Sequence, residues 1–264
     1  MIRVTGLAVT FGRGTPLEKR ALNGIDLLVE QGEFVSIIGS NGAGKSTLLS
    51  AIAGEVAPTA GTIEIDGRDV TRQTTARRAP YIARVFQDPL IGSCGELTIA
   101  ENLALAAARG SRRGFGRAVS HARRELFRER VKSLGLGLED RLNDRMSLLS
   151  GGQRQAVALI MATLAPSGVL LLDEHTAALD PGMAEFVIQL TQRVVAEHKL
   201  TTLMVTHSMS QALACGSRTV MLHEGKVVLD VRGSERTGLT VDDLVAKFRN
   251  VRGKAIDDDA LLMG

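Results

Sequence analysis

The stretch FVSIIGSNGAGKSTLLSAIAG, residues 34–54, decides how this chain folds. Its first part, Phe34–Ser40, is a short apolar run that stops in Gly, Ser and Asn, as a buried strand entering a loop does. Its last part spaces apolar residues as a helix does, with Gly54 as the stop. Between them Gly39–Ser46 reads GSNGAGKS, a full G-x-x-x-x-G-K-[ST] pattern. Glycines let consecutive backbone N–H groups curl around phosphate oxygens, and the following helix points its positive end at them. Lys45 is a point charge for the β- and γ-phosphates of a nucleotide, and Ser46 offers a hydroxyl to Mg²⁺. A merely flexible glycine-rich turn would have no reason to sit between a strand and a helix. The stretch therefore points to nucleotide binding.

A chain of 264 residues suffices for one large domain or two small ones. With no Trp and one Tyr, its core has to rest on Leu, Val, Ile, Ala and Met. The net charge of +3 permits an anionic ligand or a membrane surface without arguing for nucleic acid. Cys94 and Cys215 are too few for a disulfide framework, so a reducing cytosol is expected. No secretory signal is visible, and no apolar run approaches the roughly 20 residues that a membrane helix needs.

Outward from the phosphate loop, strand and helix patterns alternate. IRVTGLAVTF at the start and GTIEIDG at Gly61–Gly67 read as strands. From about Leu90 to Leu149 the pattern is mainly helical, broken by the Gly/Arg loop RGSRRGFGR. In SHARRELFRERVKSLG, Ser120 is a candidate cap, and Leu126, Phe127, Val131 and Leu134 share one face. VLLLDE then reads as a buried strand, AEFVIQLTQRVVAEH as a helix capped by Asp180 with Pro181 in its first turn, and TTLMVTHS as a further strand. TVMLHEGKVVLD is a hairpin turning at Glu224–Gly225, and VDDLVAKF is a last short helix before an acidic tail. Such alternation implies an α/β fold whose largely parallel sheet is covered on both faces and binds ligands at the carboxyl ends of its strands.

A phosphate loop needs an acid on a neighbouring strand, and VLLLDE supplies two. Asp173 is suited to hold Mg²⁺, directly or through water, and Glu174 to act as general base or to position water near the γ-phosphate. A solvated loop start would also carry adjacent acids, but would not be led in by Val169–Leu172.

Three further segments join these: VFQDP with Gln87, LLSGGQ at Leu148–Gln153, and VTHS with His207. With the phosphate loop and LDEHTAALD, all five stand in the order found in ABC-transporter ATPase subunits, which residues 1–230 resemble. The resemblance implies a P-loop NTPase fold with an N-terminal antiparallel β subdomain, a helical subdomain over about 90–149, and a C-terminal extension over about 233–264. It implies ATP and Mg²⁺ as cofactors. Gly39, Ser40, Asn41, Gly42, Ala43, Gly44, Lys45, Ser46 and Thr47 would form the Walker A site. Asp173 with Ser46 and Gln87 would serve the metal, and Glu174, His207 and Lys45 would serve catalysis. Phe11 falls where the family stacks a ring on adenine, although a core Phe near a strand end would look the same. Ser150, Gly151, Gly152 and Gln153 resemble the signature motif, which in the family faces ATP held by the other copy of a head-to-tail homodimer. Ser150 also suits a plain helix cap, and Asp180 is open to both a capping and an intersubunit reading.

The chain departs from the common family pattern at His175, where proline is usual, and at Ala156 and Met161, where arginine is frequent. These departures resemble a bacterial subgroup paired with a permease similar to branched-chain amino-acid and sugar importers, and with a solute-binding protein. That implies a cytoplasmic ATPase on the inner face of the membrane, driving import. His175 is expected to shape the turn after Glu174 or to bond behind the site rather than to act in catalysis. Alternatives are a soluble ABC ATPase of DNA repair or translation, or a P-loop kinase or GTPase. A single phosphate loop, no heptad run and two cysteines argue against the first, and the signature and His207 against the second. Many arginines between Arg109 and Arg130 suit a solvated helix with pairs such as Glu125–Arg128, more than a surface for the permease or membrane. Nucleic acid is not expected as a partner, because stacking aromatics are scarce.

Overall fold

The computed structural model describes residues 1–111, 116 and 118–249. Two sheets carry the fold. The first is antiparallel, with strand order β2-β1-β4-β5, where β1 is Ile2–Phe11, β2 Lys19–Val29, β4 Ala60–Ile65 and β5 Arg68–Asp69. The second has the order β10-β9-β3-β8-β7-β6. Its members are β3 (Phe34–Gly39), β6 (Ile82–Val85), β7 (Val169–Asp173), β8 (Thr201–Val205), β9 (Arg218–His223) and β10 (Lys226–Arg232). All neighbours in it are parallel except the hairpin β9–β10, whose two-residue turn is Glu224–Gly225.

Burial on both faces explains the near-continuous apolar strands. Along β7, Val169 and Leu171 face the antiparallel sheet and α1 (Lys45–Ala53), in a core that includes Val35, Ile37, Leu203 and Val205. The alternate residues Leu170 and Leu172 face a second core with Leu159 on α5 (Gly151–Leu164) and Leu190 on α6 (Pro181–His198). A one-residue slip of register would exchange these two sets, so the core fixes the strand positions and with them the ends that carry the acids.

Helix ends follow the sequence. Ser120 accepts from Arg123 N–H at the start of α4 (His121–Lys132), and Asp180 accepts from Met183 N–H at the start of α6, where Pro181 occupies the first turn. Gly54, at φ 81°, ends α1 in the left-handed conformation that glycine adopts most readily. The short helices α2 (Thr75–Arg78) and α7 (Met209–Ala214), α3 (Ile99–Ala107) and a helix over 241–249 complete the described chain. The acidic tail beyond 249 and most of the SRRGFGR loop lie outside the described residues.

Two expectations need correction. Phe127, Val131 and Leu134 are buried in the second core, but Leu126 is 44% exposed. On α4 a stripe through 127, 131 and 134 leaves 126 about 100° to one side, toward solvent. Arg109 does not belong to a solvated basic surface. Its guanidinium turns inward and donates to the carbonyls of Ala162 and Ala165 behind the C-terminus of α5. The pair Glu125–Arg128 does form, at 3.2 Å on the exposed side of α4.

Candidate active site

The phosphate loop runs from the end of β3 to the start of α1 and forms one wall of a cleft of about 350 Å³. Two glycines are required by the backbone. Gly39 has φ 149° and leaves no room for a Cβ beside Leu222 O, while Gly44 has φ 99° and presses against Ala21 O. Gly44 stands at the start of α1 with no side chain capping the helix, so amides at that end remain for an anion. Lys45 is buried and folds back over the loop, its Nζ donating to Gly39 O at 3.0 Å and Ser40 O at 3.1 Å. Burial pushes its ammonium pKa down, and the negative charges of Glu174 and Asp173 act in the opposite direction. An incoming phosphate would replace the two carbonyl contacts with a stronger charge-assisted one.

The opposite wall comes from the carboxyl ends of β7 and β8. These strands are adjacent and parallel, with Asp173 in register with Val205, so the residues that follow each of them emerge side by side. Glu174 takes φ 47°, unusual for a residue other than glycine, and is held there by its N–H on Val205 O at 3.0 Å. This turn brings its Oε1 to 2.6 Å from His207 Nε2. Behind His207, Thr206 donates to Gln211 Oε1 at 2.9 Å and Ser208 caps α7 by accepting from Gln211 N–H, which fixes the loop that carries the histidine. Asp173 divides its oxygens. Oδ1 accepts from Ser46 Oγ at 3.1 Å, and Oδ2 pairs with Arg84 Nη2 at 2.6 Å.

Phe11 lies at the cleft mouth with Lys19, its partner across β1 and β2, and with Asn41–Thr47, Glu174 and His207. Phe11 is 44% exposed, which sets aside the reading of it as a core residue. The structure thus gathers Phe11, Lys45, Ser46, Glu174 and His207 around one cleft. Gln87 lies just past β6, exposed to solvent and outside the residues that line it. Ser150, Gly151, Gly152 and Gln153 are also outside the lining. Ser150 caps α5 in a reciprocal box, accepting from Gln153 N–H at 3.2 Å while Gln153 Oε1 accepts from Ser150 N–H at 3.1 Å. Neighbouring Leu148 is 67% exposed. One chain thus places the phosphate loop and Glu174 at the cleft and the N-terminus of α5, capped by Ser150, outside it.

His175 is 2% exposed, pointing into the protein, with Nε2 3.0 Å from Thr191 Oγ1 on α6. Thr191 gives its own proton to Val187 O at 2.8 Å, so the imidazole supplies the proton between them. Arg84, Glu55 and Lys19 were not singled out from the sequence. Arg84 had one available signal, a lone charge inside the apolar strand segment YIARVF.

The donor set fits Mg²⁺. The Ser46 hydroxyl and the Asp173 carboxylate are hard oxygens on neighbouring walls, and among the described residues no cluster of three or more His, Cys, Asp or Glu could hold a metal alone. Mg²⁺ ordinarily takes one or two protein oxygens and completes its shell with phosphate and water, which matches two donors beside a phosphate loop.

Fold and cleft together define a P-loop nucleoside triphosphatase. Residues 22–177 match the family model for the ABC transporter, and the chain belongs to that family, as an ATP-binding subunit with ATPase activity. It is 42% identical over 248 residues to the tyrosine transport ATP-binding protein of Clostridioides difficile, covering 94% of this chain and 98% of that one. It is 32% identical to the energy-coupling factor transporter ATP-binding protein EcfA2 of Acetivibrio thermocellus, covering 98% and 94%. Among solved structures, it resembles the dimeric ATP-binding cassette MJ0796 in a post-hydrolysis state with ADP and Pi, with TM-score 0.76, 32% identity and coverage of 88% and 98%. It also resembles cbiO1 of Clostridium perfringens, part of the transporter complex cbiONQ, with TM-score 0.73, 25% identity and coverage of 97% and 96%. Among the described residues no helix is long and apolar enough to cross a membrane.

Proposed function

We propose that the chain hydrolyses ATP at sites shared between two head-to-tail copies and thereby powers import of an amino acid or similar small solute through a separate membrane permease. The observation that carries this reading is the division of the machinery. Lys45, Ser46, Glu174 and His207 meet at one cleft with Asp173 bonded behind Ser46, while Ser150–Gln153 present capped helix amides and a hydroxyl away from it. A second copy turned head to tail brings that helix end to the phosphates. The likeness to a tyrosine transport ATP-binding protein over almost the whole of both chains supports a transport role and the solute class.

In this reading Phe11 stacks on adenine, and the amides of Gly39–Thr47 with Lys45 hold the β- and γ-phosphates. Ser46 and Asp173 would hold Mg²⁺, with Gln87 as a further oxygen donor to it. The ion would neutralise charge building on the phosphoryl oxygens. Glu174 orients the attacking water and accepts its proton as the new O–P bond forms and the bond to ADP breaks. His207, already bonded to Glu174, keeps that carboxylate aimed and meets the γ-phosphate. Residues of about 90–149 form the helical subdomain that couples closure to the permease, and 233–264 a C-terminal extension. The chain then sits in the cytoplasm against the inner membrane face, and a solute-binding protein delivers cargo to the permease.

The test is Glu174→Gln. The variant keeps ATP affinity, loses hydrolysis by about 100-fold or more, and accumulates as an ATP-bound dimer in gel filtration. A variant that stays monomeric with ATP bound refutes the shared site. Loss of labelled amino-acid uptake on deleting the gene tests the importer reading separately.

A further inference from the structure

Arg84 is the one strongly charged side chain inside β6, and it bridges two carboxylates. On one side its Nη2 holds Asp173 Oδ2 at 2.6 Å. On the other, Nη1 meets Glu55, just past the end of α1, and Ser50 Oγ at 3.0 Å. Its guanidinium carbon lies 4.7 Å from the centre of the Phe86 ring, which immediately precedes Gln87. The side chain is 9% exposed. A planar fork fixed at both ends and stacked on a ring has little rotational freedom left.

We propose that Arg84 is a positioning residue for the carboxylate of Asp173. It occupies Oδ2 and so leaves Oδ1 turned toward Ser46, where the two oxygens meet at 3.1 Å. A free aspartate would rotate about χ2 and present either oxygen, or neither, to a cation beside the phosphate loop. Glu55 anchors the arginine from behind, so the aim of Asp173 depends on a residue that does not line the cleft. The stacking on Phe86 also ties the same arginine to the residue that precedes Gln87. The alternative effect of a nearby cation is repulsion of the metal, and the two effects have opposite signs in an experiment. The inference rests on the reading of Asp173 as a metal-side residue.

The experiment measures Mn²⁺ affinity of the ADP-saturated protein, by the loss of the free Mn²⁺ signal in electron paramagnetic resonance. Mn²⁺ serves as an oxygen-seeking stand-in for Mg²⁺. Arg84→Ala is expected to weaken Mn²⁺ binding by about tenfold or more, the range for losing a partner that orients a metal ligand. ADP affinity without metal should stay within about twofold, since none of the residues that Arg84 touches lines the cleft. Glu55→Ala, at a partly exposed site where folding is not threatened, shifts Mn²⁺ affinity in the same direction by a smaller factor. Unchanged or tighter Mn²⁺ binding in both variants overturns the proposal, the tighter result showing that repulsion dominates. Asp173→Asn separates the two levels. If it leaves Mn²⁺ affinity unchanged, the reading of Asp173 itself fails. If it weakens binding while the Arg84 and Glu55 variants do not, only the positioning role fails.

Discussion

Lowering the pH should destabilise this protein through one buried side chain, His175. Burial pulls its pKa from the ordinary 6.5 to about 4. Its Nε2 proton is committed to Thr191, whose own proton goes to Val187 O, so the folded site has a place for a neutral imidazole. As pH falls below 6.5, the unfolded chain takes up a proton that the folded chain refuses, and unfolding becomes more favourable. The contribution is therefore complete above pH 6.5 and is lost progressively down to about 4. A shift of that size corresponds to about 3 kcal/mol in full, of which about 2 kcal/mol is gone by pH 5. Other groups titrate in the same range, so the comparison needs a non-titrating variant. His175→Gln keeps an amide donor within reach of Thr191 and takes up no proton in this pH range. Urea unfolding of both proteins, followed by far-UV circular dichroism because the chain has no Trp, should be run at pH 7.5, 6 and 5. The stability gap between His175→Gln and the natural chain is expected to move by about 2 kcal/mol in favour of the variant between pH 7.5 and 5. A gap that does not change with pH refutes the reasoning, because it means that the imidazole protonates equally well folded and unfolded.

Other expectations concern single contacts. Arg78 is fully buried and donates to the carbonyls of Ala51, Ile52, Thr71 and Gln73, so Arg78→Met should cost about 3 kcal/mol or more in urea unfolding by leaving acceptors unpaired. Ser150→Asp keeps the cap of α5 and should leave stability within about 0.5 kcal/mol, yet the added negative charge should abolish steady-state hydrolysis if that helix end meets phosphate. Phe11→Ala should raise the KM for ATP several-fold with little change in kcat, and Phe11→Tyr should restore it, since either ring offers the same π-face at the exposed cleft mouth. Gly44→Ala should remove ATP binding altogether, because a Cβ there would stand 2.5 Å from Ala21 O at φ 99°.

Much of the fold could be read from local pattern. The apolar runs 34–38 and 169–172 are buried strands, Gly54 ends a helix, and Ser120 and Asp180 cap helices, because each of these depends on a few consecutive residues and on backbone geometry they control. Leu126 shows where pattern stops. It neighbours Phe127 in sequence and is as apolar, but which edge of a helical stripe reaches a core depends on what lies across from it. Arg109 shows the same for charge, since an arginine in a basic segment is drawn inward by carbonyls at the far end of α5.

Residues 39–46 by themselves pointed to a phosphate site, because loop, helix end and lysine are contiguous, and the apolar run into Asp173–Glu174 pointed to its acids. Tertiary structure decided the rest. The order β3-β8-β7-β6 sets His207 against Glu174 and Arg84 against Asp173, pairs 33 and 89 positions apart in a chain with no local signal joining them. It also turned His175 away from the cleft that Glu174 lines, into contact with Thr191 on α6. Parallel strands pair only through long crossovers, so which side chains meet at their carboxyl ends is a property of topology and packing rather than of any short stretch.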